Sequence, residues 1–139
     1  MSLMYMYKLI VPEDAIDANG HVNNVVFVQW MQDAAIAHAD AVGCTEVTKR
    51  MGATWVVRRH TIEYRKEAFA GDHVEVRTQV VDCRRVSSRR QYEFVRESDG
   101  AVLARGETDW VLINLEKFEP ITISDEIKVL FNPPVEGNA

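Results

Sequence analysis

The run Asp17-Ala18-Asn19-Gly20-His21-Val22-Asn23-Asn24 places a carboxylate, an amide and an imidazole together, directly before an apolar segment. A carboxylate can attack a carbonyl carbon or take a proton from water, and an imidazole or amide can orient water or polarise a carbonyl. The asparagines that close the run suit a helix N-cap. A helix N-terminus presents unpaired backbone N–H groups and a partial positive charge. Carboxylate and donor array together have the parts to add to, or hydrate, an activated carbonyl such as a thioester and to stabilise the oxyanion that forms.

Each residue also has a use without catalysis. Asp17 suits a turn in which its carboxylate accepts loop N–H groups. Asn19 precedes Gly20, and Asn-Gly is a turn dipeptide. His21 can hold a loop carbonyl. Asn23 and Asn24 are caps first, and the backbone N–H of Asn24 or Val25 is the candidate oxyanion donor. Arg58, Arg59 and Arg65 on one stretch, and Arg84, Arg85, Arg89 and Arg90 around a bend, suit phosphate binding or charge balance on a solvent face. His60 reads as a packed or paired strand histidine. No GxSxG serine motif is present, and Cys44 lacks an activating neighbour in sequence.

The elements that must position these groups follow from periodicity. Tyr5 to Val11 predicts a strand ended by Pro12, and 13–23 a polar loop. Asn24 to Val42 predicts a helix stopped by Gly43. That helix is apolar almost all round, which predicts burial on most sides beneath a wrapping sheet. Thr54 to Tyr64 alternates, with Val56, Ile62 and Tyr64 on one parity. Val74, Val76, Thr78 and Val80 alternate with Glu75, Arg77 and Gln79 after a Gly71-Asp72 turn. Arg84 to Ser88 reads as a bend, Gln91 to Arg96 as a strand, Asp99-Gly100 as a hairpin turn and Val102 to Leu115 as the last strand. A short helical tail is expected around Glu126 to Phe131, with 133–139 flexible.

The chain has 139 residues, 47% hydrophobic and 27% charged, which suits one domain over 1–139. A net charge of −5 argues against nucleic-acid or anionic-membrane binding. Cys44 and Cys83 fit no zinc spacing and read as reduced thiols of a cytoplasmic protein. No signal peptide or membrane-spanning stretch is expected.

The Asp17 to Asn24 run, Phe27, Trp30, the strand Val56 to Tyr64 and the Gly71-Asp72 turn resemble the hotdog-fold thioesterases. Among these the branch is that of 4-hydroxybenzoyl-CoA thioesterase-like acyl-CoA hydrolases, and the likeness runs from about Met6 to Leu115. The D-x-N-x-H-V-N-N run also resembles the motif of plant acyl-carrier-protein thioesterases. The resemblance implies an α+β hotdog fold, an antiparallel sheet of about five to six strands wrapped around a long central helix. It implies homodimers or homotetramers with active sites at subunit boundaries. It implies Asp17 as catalytic carboxylate, the backbone N–H near Asn24 as oxyanion donor, and Asn19 and His21 as assistants. Many acyl-CoA members carry a further Asp two residues before the catalytic one, where this chain has Ala15.

On that footing the expected function is hydrolysis of an acyl-CoA, with Phe27 against the acyl chain and Arg58, Arg59 and Arg89 toward the CoA phosphates. No metal or cofactor is expected beyond the CoA of the substrate. Two further readings remain: an acyl-carrier-protein thioesterase, and a non-catalytic acyl-CoA-binding hotdog protein.

Overall fold

The computed structural model describes residues 4–131. The expected flexible tail at 133–139 lies outside the described residues. β1 (Tyr5–Ile10), β2 (Ala53–Tyr64), β3 (His73–Cys83), β4 (Ser87–Arg96) and β5 (Val102–Asn114) form one antiparallel sheet in the order β1-β3-β4-β5-β2. α1 (Asn24–Val42) packs on the sheet, followed by α2 (Cys44–Arg50), while α3 (Asp125–Phe131) comes after β5. This is the α+β arrangement expected, with five strands.

The strands form where apolar and polar residues alternate, because successive side chains point to opposite faces. In β3, Val74, Val76, Thr78 and Val80 are buried and Glu75, Arg77 and Gln79 face the other way. β4 continues that inner face with Arg90, Tyr92 and Phe94.

β2 departs from simple alternation. Its register with β5 shifts between Val57 and Arg59, so Arg58 is an extra residue in the ladder. The bulge reverses parity. Ile62 and Tyr64 oppose Gly106 and Ala104, whereas Val56 opposes Val111. Val56 therefore faces away from Ile62 and Tyr64, contrary to the expectation of a shared face.

α1 starts at the N-cap Asn23, whose side chain accepts from the Val25 N–H at 2.9 Å, and stops at Gly43, which adopts φ 86°. Its buried residues are Phe27, Trp30, Met31, Ala34, Ala35 and His38, a single stripe at helical spacing. Val25 is 73% exposed and Ile36 54%. The expectation of burial on most sides is thus corrected: one chain's sheet covers one face of the helix. Phe27 sits edge-on to Trp30, Tyr64 and Phe94 at centroid distances of 5.1, 5.5 and 5.2 Å. Helix and sheet approach closely at Gly106, where a Cβ would lie 2.8 Å from Met31 Cε and 3.2 Å from the Thr61 carbonyl oxygen.

Two further differences have local causes. α2 follows Gly43 directly, because the left-handed glycine turns the chain and lets a short helix bury Cys44, Val47 and Thr48. β4 begins at Ser87 rather than Gln91, since Ser88 pairs with Cys83 and Arg89 with Asp82 and the bend shrinks accordingly. α3 closes a second core cluster in which Ile127 and Phe131 join Cys44, Val47, Val80 and Leu112.

Candidate active site

Between β1 and α1 the chain forms a small hairpin, closed by a bridge between Ile16 and Val22. The Asp17 N–H donates to the His21 carbonyl at 3.0 Å, and the Gly20 N–H to the Asp17 carbonyl at 3.0 Å. Gly20 has φ 83°, the left-handed position that ends a three-residue hairpin loop. A side chain at 20 would be strained there, which explains why the motif carries a glycine.

This turn brings Asp17, Asn19 and His21 onto one tip, directly before α1. Asp17 Oδ1 accepts from the Asn19 N–H at 2.8 Å, which fixes the carboxylate and leaves Oδ2 without a partner among the described residues. Asp17 and His21 are half-buried and Asn19 is exposed. The His21 ring and the Asn19 amide make no hydrogen bond among the described residues. The turn thus uses the carboxylate as a loop acceptor and still leaves one oxygen open for chemistry.

The helix start is held from two sides. The Asn23 N–H donates to the Ala15 carbonyl at 2.9 Å, and the Tyr64 hydroxyl donates to the Asn24 carbonyl at 2.7 Å. Of the two candidate oxyanion donors, the Val25 N–H is taken by the Asn23 side chain. The Asn24 N–H has no acceptor among the described residues. No acidic residue lies in the first turn of α1, so nothing there competes for its partial positive charge.

Arg58, Arg59 and Arg89 come together with Arg84 around a cleft of about 420 Å³, with Asp82 and Asp109. Asp109 is shared by Arg59 at 3.2 Å and Arg89 at 3.4 Å, and Asp82 pairs with Arg84 at 3.2 Å. Arg58, on the bulge, has no ion pair among the described residues. The four guanidiniums outnumber the two carboxylates and remain accessible, which suits phosphate oxygens. None of the hairpin residues lines this cleft.

Phe27 is 2% exposed and fills the core, so within one chain it faces neighbouring rings rather than a cavity. His60 is paired as expected: Nδ1 lies 2.8 Å from Thr108 Oγ1, and burial lowers its pKa. Cys44 and Cys83 are free thiols whose pKa values are raised, first by burial. Among the described residues there is no metal-holding cluster of His, Cys, Asp and Glu, and no helix long and apolar enough to cross a membrane.

Sequence reading missed the inward turn of Arg90, which is 4% exposed. The signal was present, since Arg90 shares strand parity with Tyr92 and Phe94. It also missed His38, 1% exposed, which continues the Phe27, Trp30, Met31, Ala34 stripe.

A five-stranded antiparallel sheet laid over one long helix is the hotdog fold. A 1,4-dihydroxy-2-naphthoyl-CoA thioesterase from Synechocystis shares it with a TM-score of 0.84 at 17% identity, over 94% of this chain and 96% of that one. The family model described as the thioesterase-like superfamily matches residues 10–131, and the chain belongs to that superfamily. Protein THEM6 of Danio rerio is 32% identical over 84 residues, 60% of this chain and 42% of that protein. Oleoyl-acyl carrier protein thioesterase 1, chloroplastic, of Arabidopsis thaliana is 25% identical over 133 residues, 91% of this chain and 37% of that protein. The matched regions thus make up less than half the length of each of these two relatives.

Proposed function

We propose that the protein hydrolyses an acyl-CoA thioester at the hairpin before α1. The observation that carries this reading is the pairing of a fixed carboxylate, Asp17 with Oδ2 open, and an open backbone donor, the Asn24 N–H, on consecutive pieces of chain. The carbonyl oxygen accepts from the Asn24 N–H, and the negative charge of the tetrahedral intermediate is stabilised there and by the helix end. Asp17 Oδ2 either adds to the carbonyl carbon or takes a proton from the water that adds. In the first route the C–S bond breaks, CoA leaves as thiolate and is protonated, and water then cleaves the acyl–Asp17 anhydride to free acid and carboxylate. In the second, water supplies the hydroxyl directly and Asp17 passes its proton to the departing thiolate. His21 and Asn19 orient the carbonyl and the water.

A thiolate is a good leaving group, so the scheme uses no metal or cofactor, and activity is expected to survive a chelator. The arginine cleft would meet the CoA phosphates, with Arg58, on its bulge, unpaired among the described residues. Hairpin and cleft lie apart within one chain, and β2 and β1 are the open edges of the sheet. Both features support assembly into a dimer or tetramer whose sites combine two chains, with the exposed Val25 and Ile36 of α1 nearby. Two free thiols support a cytoplasmic location.

The 25% identity to a plant acyl-carrier-protein thioesterase over 91% of this chain supports a second reading, with a carrier protein in place of CoA. Thiol release from short aliphatic, long aliphatic and aromatic acyl-CoAs, measured beside Asp17→Asn, decides between them. Fast release from one class that Asp17→Asn abolishes supports the proposal. Release only from acyl-carrier protein favours the second reading. Wild-type turnover in Asp17→Asn sinks the assigned mechanism, and tight acyl-CoA binding without turnover replaces it with a binding protein.

A further inference from the structure

A cavity of about 580 Å³ opens between α1, α2, the start of β2, β3 and α3. That size falls within the roughly 300–1,000 Å³ usual for small-molecule sites. Its walls are mainly apolar, with Ala35, Ile36, Trp55, Val80, Ile127 and Phe131 among them. Asp40 and Lys49 both line it and are exposed, so one charge of each sign stands there.

Arg90 lines the same cavity and is 4% exposed. Its Nη1 donates to His38 Nδ1 at 2.8 Å and to Thr78 Oγ1 at 3.2 Å. Nε and Nη2 have no hydrogen-bond acceptor among the described residues, and no carboxylate pairs with Arg90 among them. The Phe131 ring lies 5.4 Å from the guanidinium carbon and supplies a π face, not an anion. The other groups around the guanidinium are Tyr92, Cys44 and Cys83. Nearby arginines are treated differently: Arg59, Arg84 and Arg89 lie on the accessible side and each has a carboxylate partner.

A buried cation without a counter-charge is costly, and a guanidinium with open donors is a fork for a carboxylate. We propose that this cavity binds an amphiphile with an apolar body and one carboxylate, seated with the carboxylate on Arg90. Within one chain this cavity is separate from the hydrolytic hairpin, because Asp17, Asn19 and His21 do not line it.

Dodecanoate and 1-dodecanol provide the test, since they share an apolar body and differ in charge. Trp55 and Trp110 both line the cavity, so intrinsic fluorescence reports occupancy. Each compound is titrated into the 139-residue chain below its self-association limit. Dodecanoate is expected to bind about ten-fold or more tightly than dodecanol, as a charge-assisted hydrogen-bonded pair implies. In Arg90→Met that preference is expected to vanish, with dodecanol affinity held within a few-fold. Equal affinities in the wild type, no saturable dodecanoate binding, or a preference that survives Arg90→Met would each overturn the proposal. Should Arg90→Met not fold, the acid–alcohol comparison in the wild type decides alone.

Discussion

His38 sets how this fold responds to acid. The imidazole is 1% exposed, stacks on Tyr5 at 5.0 Å, meets Phe131 edge-on at 5.0 Å and accepts from Arg90. Burial first, and the Arg90 charge second, lower its pKa from 6.5 to about 4. In the unfolded chain the ring titrates near its ordinary value, about 6.5. Because the folded value is the lower one, the unfolded state binds more protons between the two. The stability contributed by keeping His38 neutral is therefore complete above about pH 6.5 and is lost as pH falls toward and through about 4. At about 1.4 kcal/mol per pH unit, the loss is about 2 kcal/mol by pH 5 and about 3 kcal/mol by pH 4.

The assay is urea unfolding at pH 7 and pH 5 of the wild type beside His38→Asn. The Asn side chain can present an oxygen to Arg90 near the place of Nδ1 and cannot take a proton. Carboxylates and the imidazoles of His21, His60 and His73 are common to both proteins and cancel in the difference. The wild type is expected to lose about 2 kcal/mol more than His38→Asn over that interval. Equal losses would refute the reasoning, since they would mean that His38 titrates alike in both states.

Asn23→Ala removes the acceptor for the Val25 N–H and is expected to cost about 1 kcal/mol in urea unfolding. Gly106→Ala brings a methyl against Met31 Cε, which can swing aside, and the Thr61 carbonyl oxygen, which cannot. A cost of about 1–2 kcal/mol is expected, partly relieved when Met31→Ala is combined with it, as a double-mutant cycle would read. Arg58→Ala is expected to raise KM for the acyl-CoA about two- to five-fold with kcat unchanged, an effect that shrinks at high salt.

Local features were legible in the sequence because local physics decides them. The Asp17 to Gly20 turn, the Asn23 cap, the Gly43 stop and the alternation through β3 need only neighbouring residues. α2 was not legible: Cys44–Arg50 is short and mixed in propensity, and its helix is held by tertiary packing of Cys44 and Val47 on the second core cluster. The bulge at Arg58 left no local mark, since it is set by pairing with a strand some fifty residues away. The arginines were legible as a cluster but not as two populations. Arg89 and Arg90 are adjacent, and the strand period alone sends one to the accessible cleft and the other into the interior.

The Asp17 hairpin and the Arg90 cavity lie at opposite reaches of one helix. His38, which holds Arg90, is fourteen residues beyond Asn24, about 21 Å along α1 at 1.5 Å per residue. Among the described residues, Asp17, Asn19 and His21 line neither the arginine cleft nor the cavity that holds Arg90. An acyl group cleaved at Asp17 and a carboxylate seated on the same chain's Arg90 are therefore different ligands. It follows that Asp17→Asn, expected to stop turnover, should bind dodecanoate as tightly as the wild type does. A several-fold loss of dodecanoate affinity in that protein would refute the separation, and would mean that a hairpin from a second chain reaches the mouth of the cavity.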